Sequence, residues 1–408
     1  MERVVVTGLG VTSPLGCSVP EFWAGLLAGR PGAVALDDPE FAGLSSRMGA
    51  VAAGFVVDDH FSRKEARRLS RSSQLGLVAA AQAIAEAGLT DGRVDLTQVG
   101  VMIGSSIGGF SAGDNFSRDF HLKGQTNPLI IPISMNVGPS ANVSIRYGLQ
   151  GPLMTIDAAC ASAAHSIGYA YNLIRMGRLP AAVTGGADTP LSAGVMSAWC
   201  ALHTLSERNA DPASACRPFS ADRDGMVLGE GAGVLVLEAA SVARRRGAHI
   251  LAEIKGYGAT ADSHHLTQPA RHGPVRAMRQ ALEDAGLAPE QIDYINAHAT
   301  GTQWNDKNET AAIKAVFGPR AYGLPVVGNK GALGHSIGAS GALELIGCLL
   351  SLRDQVAPPT INYTTPDPDC DLDYVVEGCR SLPLRHIMSN SFAFGGSNGV
   401  LIVGPYDA

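Results

Sequence analysis

Gly8-Leu9-Gly10-Val11-Thr12 near the start of the chain, and Gly256-Tyr257-Gly258-Ala259-Thr260 much later, each follow a strand-like run, at residues 4–7 and 251–255. Downstream of each lies a helix with nearly the same end: Ala83-Ile84-Ala85-Glu86-Ala87-Gly88-Leu89 in one case and Ala281-Leu282-Glu283-Asp284-Ala285-Gly286-Leu287 in the other. The elements come in the same order, with roughly 50 more residues between the markers in the first copy, as two copies of one α/β unit would give. Either match alone is weak; together they predict a duplicated fold with its active site between the halves. The rest of the pattern agrees. Strand-like runs at 99–104, 182–186, 233–238 and 399–403 alternate with helical patterns at 75–88, 161–176 and 274–286. The last of these carries Val275, Met278, Ala281 and Leu282 on one face. Alternation of this kind, broken by short glycine turns, predicts α/β layers.

The composition narrows the possible functions. The chain has 408 residues, 31 Lys+Arg against 37 Asp+Glu, 46% apolar residues and 17% charged ones. That is too apolar for disorder, and the charge of −6 lacks the basic excess of a nucleic-acid binder. No apolar run reaches the ~18 residues of a membrane span. The first residues, MERVVVTGLG, enter a strand at once without a signal-peptide core, so a cytoplasmic protein of two domains or one doubled domain is expected. Seven cysteines (Cys17, Cys160, Cys200, Cys216, Cys348, Cys370 and Cys379) form no CxxC pair, which points to reduced thiols rather than disulfides or a structural zinc site.

One of those cysteines has a distinctive setting. In Thr155-Ile156-Asp157-Ala158-Ala159-Cys160-Ala161-Ser162-Ala163-Ala164-His165 a β-type run passes into a helix of small residues, with Cys160 at the turn. A thiol there meets the positive end of the helix dipole and free backbone N–H groups, which favours thiolate and offers an oxyanion pocket. The alternative is an inert core cysteine. Two histidines sit in comparable turns: His298 in Ile295-Asn296-Ala297-His298-Ala299-Thr300-Gly301-Thr302, and His335 in Asn329-Lys330-Gly331-Ala332-Leu333-Gly334-His335-Ser336. Each could be a satisfied structural histidine. Neither has the i,i+4 spacing of a metal helix, so no metal is expected. A third glycine turn, Asn390-Ser391-Phe392-Ala393-Phe394-Gly395-Gly396-Ser397-Asn398, precedes the last strand; its two aromatics are either core packing or a hydrophobic door beside an N–H donor.

Together these four motifs, in this order, resemble the β-ketoacyl-acyl-carrier-protein synthases, most closely the elongating ketosynthases of type II fatty-acid and polyketide synthesis. The resemblance runs from Gly8 to the last strand. It implies the thiolase fold: duplicated α/β halves, at 1–251 and 252–408, in a five-layered α-β-α-β-α sandwich. It implies that Cys160 carries the acyl chain as a thioester, that the N–H groups of Cys160 and Phe394 hold the oxyanion, and that His298 and His335 stabilise the enolate formed when malonyl-carrier loses carbon dioxide. Lys330 would be electrostatic support paired with Glu309. Thr300 and Thr302, with Thr267 a looser candidate, would bind the pantetheine arm. Phe394 and Ile107 would gate the acyl pocket, with Phe392 in support. No free cofactor is implied, since 4′-phosphopantetheine arrives on the carrier protein.

The Cys–His–His set matches elongating enzymes rather than starter ketosynthases or thiolases. Residues 159–165 and 305–310 lean toward a branch that includes nodulation-type and polyene-forming ketosynthases. The competing readings are a chain-length-determining partner subunit with little activity and a Cys–His hydrolase. The implied partners are an acyl carrier protein and a second subunit, identical or a chain-length factor. Lys64, Arg67, Arg68 and Arg71 have i, i+3, i+4, i+7 spacing and are expected on one helix face. A solvated face is the ordinary meaning of such a run. Here the resemblance implies docking of the acidic carrier through Lys64, Arg67 and Arg68, with Arg208 a further candidate.

Overall fold

The computed structural model describes residues 1–407. Ten strands form one mixed sheet. They are β1 (Val4–Thr12), β2 (Gly100–Gly104), β3 (Leu153–Met154), β4 (Ala181–Asp188), β5 (Gly231–Ala239), β6 (Ala252–Ala261), β7 (Tyr294–Asn296), β8 (Val326–Val327), β9 (Ile387–Phe392) and β10 (Ser397–Gly404). Their order is β3-β2-β4-β5-β1-β6-β10-β9-β7-β8. The halves meet where β1 pairs antiparallel with β6, Val5 opposite Glu253. Outward from that seam each half places its first, fifth, fourth, second and third strands, with the same sequence of two antiparallel and two parallel pairings. This is the duplication expected from the paired glycine motifs.

Four helices complete the layers: α1 (Arg71–Ala87), α2 (Ser162–Arg175), α3 (His272–Ala285) and α4 (Ser340–Asp354). α1 covers the outer face of β1 and β5, and α3 covers β6 and β10. α2 and α4 lie between, touching strands of both halves. The result is the five-layered α-β-α-β-α sandwich of the thiolase fold. Burial follows the layers. α4 is buried from Ser340 through Leu352, as a helix apolar on all sides must be. β5 sends Leu235 and Leu237 into the central core and Val234 and Val236 into the outer one, so both of its faces are apolar.

The strands at the seam run further than predicted, through the glycine motifs rather than ending at them. Antiparallel neighbours pair along their full length. The glycines have another purpose. A Cβ at Gly8 or Gly10 would overlap the carbonyl oxygens of Ala83 and Ala79 on α1, and one at Gly256 or Gly258 those of Ala281 and Ala277 on α3. The repeated Gly-x-Gly therefore lets each outer helix lie directly on the backbone of its strand. α1 and α3 both end at a left-handed glycine, Gly88 (φ 59°) and Gly286 (φ 64°).

One local expectation is corrected. Lys64, Arg67, Arg68 and Arg71 do not share a helix face. A short helix, Arg63–Ala66, is held by a Ser62/Glu65 capping box and ends at Arg67; Ser70 then caps α1 through the N–H of Ser73. Arg71 turns inward to Glu230 at 2.7 Å. Among the described residues no helix is long and apolar enough to cross a membrane.

Candidate active site

The loops at one end of the sheet converge because small residues let their backbones touch. A side chain at Gly104, the last residue of β2, would strike the backbone of Ser162 and Ala163, and one at Gly186 on β4 would meet Gly338 and Ala339. Cys160 lies in the turn before α2; the strand leading to it is shorter than expected, ending at Met154. Ala159 adopts φ +48°, a left-handed conformation that costs a non-glycine residue energy. The Ser162 hydroxyl secures the turn, donating to Ala159 O at 2.7 Å and accepting from Ala158 N at 2.9 Å. The backbone N–H groups of Cys160 and Phe394 both favour the ionised form of the sulfur.

The two histidines come from the other half. His335 Nε2 stands 3.0 Å from Cys160 Sγ, and the two imidazole rings are 5.4 Å apart and nearly perpendicular (81°). The donor atoms of Cys160, His298 and His335 lie within 4.8 Å of one another. That spacing would also suit a metal, but the Lys330 ammonium sits 3.4 Å from His298 Nδ1 and makes the site more hospitable to an anion than to a cation. Lys330 only donates, so His298 Nδ1 accepts and Nε2 keeps its hydrogen. At His335 the Ser340 hydroxyl, which accepts from Ser336 N, lies 2.9 Å from Nδ1; a hydrogen bond donated by that hydroxyl leaves the hydrogen on Nε2. Both rings are buried, and burial together with the Lys330 charge holds them well below the usual imidazole range; they are neutral donors. Burial likewise pushes the Cys160 thiol up to about 12 against the pull of Lys330 and the two N–H groups, so the expectation that the helix start favours thiolate is outweighed in the resting site.

The expected Lys330–Glu309 pair is not formed. Lys330 Nζ donates to Glu344 Oε1 on α4 and to His298 O, both at 2.5 Å. Glu309 is occupied elsewhere: its oxygens accept from the N–H groups of His298 and Ala299, each at 2.9 Å, and from Asn390 at 3.1 Å. It shapes the turn that presents His298, where Ala299 has φ +45°. Burial lifts the Glu344 carboxyl to about 7 despite its lysine.

Cys160, His298 and His335 line one cavity with Thr267, Thr300, Thr302, Phe392 and Phe394. The Thr300 and Thr302 hydroxyls are 2.9 Å apart. Ile107 packs in the same apolar cluster as Cys160 without reaching that cavity wall. Lys64, Arg67 and Arg68 are exposed and border a separate wide groove beside the helix Gly108–Lys123. Arg208 does not line it; its guanidinium lies against Asp222 and Asp224. Sequence reasoning missed Trp199, Met226, Trp304 and Asn305 on the cavity wall. Trp199 stacks on Phe394 at 5.5 Å and 21°, while Trp304 is 73% exposed at the rim. Trp304 and Asn305 directly follow the threonine motif, a signal that could have found them; Trp199 carried none.

Comparison with known proteins bears on the same residues. The family model described as Beta-ketoacyl synthase, N-terminal domain, matches residues 1–243, and that described as Beta-ketoacyl synthase, C-terminal domain, matches 251–364. The chain is 42% identical to nodulation protein E of Rhizobium meliloti (strain 1021), covering 98% of each. It is 39% identical to 3-oxoacyl-[acyl-carrier-protein] synthase 2 of Staphylococcus aureus (strain COL), covering 100% of this chain and 99% of that one. Among solved structures, the ishigamide ketosynthase/chain length factor superposes with a TM-score of 0.93 at 35% identity, each chain covered completely. The two family matches follow one another as the two halves do in the sheet, and the relatives align from end to end: the chain belongs to the β-ketoacyl synthase family.

Proposed function

We propose that the protein is an elongating condensing enzyme that joins an acyl group to the two-carbon unit of malonyl-acyl-carrier protein. The observation that carries this reading is the approach, within 4.8 Å, of one sulfur and two neutral imidazoles in a cavity lined by Thr300 and Thr302. The Cys160 thiol attacks the acyl-carrier thioester and its proton passes to the departing carrier sulfur, so that the carrier leaves as a thiol and the acyl chain stays on Sγ. Malonyl-carrier then enters with its pantetheine arm along Thr300, Thr302 and Thr267. Its thioester oxygen accepts from Nε2–H of His298 and His335, the bond to the carboxylate breaks, carbon dioxide leaves, and the electron pair becomes an enolate. That carbon attacks the acyl-Cys160 carbonyl, whose oxygen takes the N–H groups of Cys160 and Phe394. Collapse expels the Cys160 sulfur and releases a 3-ketoacyl carrier two carbons longer. Lys330 fixes the His298 tautomer. Phe394, with Ile107 behind it, borders the acyl chain, and Phe392 packs against the His298 ring at 6.1 Å. No free cofactor takes part.

The working units are the halves 1–251 and 252–408, each supplying loops to the site. The acidic carrier docks on the exposed Lys64, Arg67 and Arg68; Arg208, paired with Asp222 and Asp224 away from that groove, is a separate further candidate. A second subunit, identical or of the chain-length-factor kind, pairs along the free edge at β3, where Leu153 is exposed; Phe110, Ile131 and Met135, in the segments between β2 and β3, are exposed apolar residues available to the same interface. The free cysteines suit a reducing cytoplasm. The pathway is fatty-acid or type II polyketide synthesis, with a polyene-type substrate as the branch to examine. Incubation with malonyl-carrier and a panel of saturated and polyenoyl carriers, read by product mass, tests the reading. A product two carbons longer, lost in Cys160→Ala, is expected; free acid alone, or no acyl adduct on Cys160, would overturn it and in the latter case favour a pocket-shaping partner subunit.

A further inference from the structure

Asp188, the last residue of β4, is 0% exposed and has no salt-bridge partner among the described residues. A buried carboxylate of this kind is tolerated only where N–H donors replace a cation. Five do so. Ile107, Gly108 and Thr189 donate to Oδ1 at 3.1, 2.5 and 3.1 Å, and Ser106 and Gly338 to Oδ2 at 3.1 and 2.9 Å. Three of these N–H groups belong to the loop that opens the helix Gly108–Lys123, which has no side-chain cap of its own at Ile107. Asp188 caps it from the neighbouring strand. Gly338 lies in the segment between His335 and α4, so close that a Cβ there would meet Asp188 Oδ2, Ser106 N and Ser105 Cα. One carboxylate thus ties the Ile107 loop to the segment carrying His335.

The two tied segments are not equally dependent on it. His335 has its own anchors, Val227 O at 2.7 Å and Ser340 Oγ at 2.9 Å. The Ile107 loop has only one other side-chain support: Asn136 donates to Ser106 O at 2.8 Å and accepts from Gly109 N at 3.1 Å. Removing the carboxylate therefore frees the loop first and leaves the histidine in place.

We propose that Asp188 is a positioning residue for acyl selection, holding the Ile107 loop fixed in the apolar cluster that Ile107 shares with Cys160 and Phe394, behind the wall of the cavity, where a long chain carried on Cys160 would have to extend. This rests on the reading of Cys160 as the acyl-bearing residue and Ile107 as part of the acyl pocket. The test compares wild type with Asp188→Asn, whose amide puts an NH₂ donor among the N–H groups, and with Asn136→Ala, which loosens the same loop at a less buried point. Loading of Cys160 from acetyl and decanoyl pantetheine thioesters is followed by intact mass, and malonyl-carrier decarboxylation is measured in the same preparations. Decanoyl loading should fall about tenfold in both variants, while acetyl loading and decarboxylation stay within about twofold of wild type. Equal losses on all three, no loss, or faster decanoyl loading would overturn the proposal. If Asp188→Asn does not fold, the Asn136→Ala result decides alone. Wild type separates the two readings: failure of wild type to load Cys160 removes the proposed function itself, whereas normal wild-type loading with chain-length-independent variants removes only the Asp188 role.

Discussion

Replacing Lys330 by methionine removes a fully buried ammonium and leaves the Glu344 carboxylate, also buried, facing no cation. Breaking such a pair from one side costs about 3–5 kcal/mol, much of it the penalty for the stranded charge. Here the loss should sit at the lower end, because the Glu344 carboxyl is already lifted to about 7 and takes up a proton once its lysine is gone. The same substitution withdraws the donor at His298 Nδ1 and the clamp on His298 O, so the imidazole is free to turn or change tautomer. Malonyl-carrier decarboxylation should fall about 10²-fold, the size expected for losing one well-aimed donor to a developing oxyanion. Stability and activity are separated by Lys330→Met combined with Glu344→Gln. The pair of changes removes both charges and should bring the unfolding free energy from urea titration back to within about 1–2 kcal/mol of wild type, since uncharged replacement of a buried pair is nearly neutral. Decarboxylation should remain lost. Recovery of decarboxylation in the double variant would refute the assignment of Lys330 to the His298 tautomer, and a stability loss of less than about 1 kcal/mol in Lys330→Met would refute the cost assigned to the stranded Glu344.

Further expectations concern other parts of the molecule. Charge reversal at Arg67 and Arg68 should raise KM for acyl-carrier several-fold, about 1 kcal/mol or more, yet spare loading from a small thioester mimic; equal losses on both would count against carrier docking. Trp199→Ala removes the ring stacked on Phe394, worth about 0.5–1.5 kcal/mol, and should speed alkylation of Cys160 by iodoacetamide about two- to tenfold; an unchanged rate would mean Phe394 does not control access to the sulfur. His165, hydrogen-bonded to Ser397 and Tyr257, is held neutral by burial at about 4, against about 6.5 unfolded. The unfolded chain therefore binds the proton first, and stability is lost as pH falls from 6.5 toward 4, by about 3 kcal/mol from this residue. His165→Gln should flatten the pH dependence of the urea midpoint in that window, and an unaltered slope would exclude the residue as its source.

Much of this molecule is legible in its sequence because its demands are local. A Gly-x-Gly that must lie against helix backbone, and an Ala-rich helix ended by glycine, recur for the same packing reason in both halves, so the duplication can be read without coordinates. Cys160, His298 and His335 stand at turns flanked by small residues, which marks them before their convergence is known. What fails is partner choice across the fold. Lys330 is near Glu309 in the order of motifs, but Glu309 is consumed by two backbone N–H groups, and the true partner lies in the apolar helix α4, where a single glutamate attracts no notice. The basic segment misleads in the same way: its i, i+4 spacing suggests one helix, whereas Ser70 restarts the chain in a new one. Trp199, on the helix Ala193–Ala201, and Met226 reach the cavity only because segments distant in sequence fold over it.

The matching strand order of the two halves gives the loops around the site rotational counterparts. The loop after β2, with Ile107, answers to the loop after β7, with His298; the turn before α2, with Cys160, answers to the segment before α4, with His335. Two identical chains related by a dyad would be obliged to present the same residue at both members of each pair. A single covalent chain carries no such obligation. A thiol can occupy one member and an imidazole the other, so a symmetric scaffold supports chemistry that is directional, from bound acyl group to incoming extender.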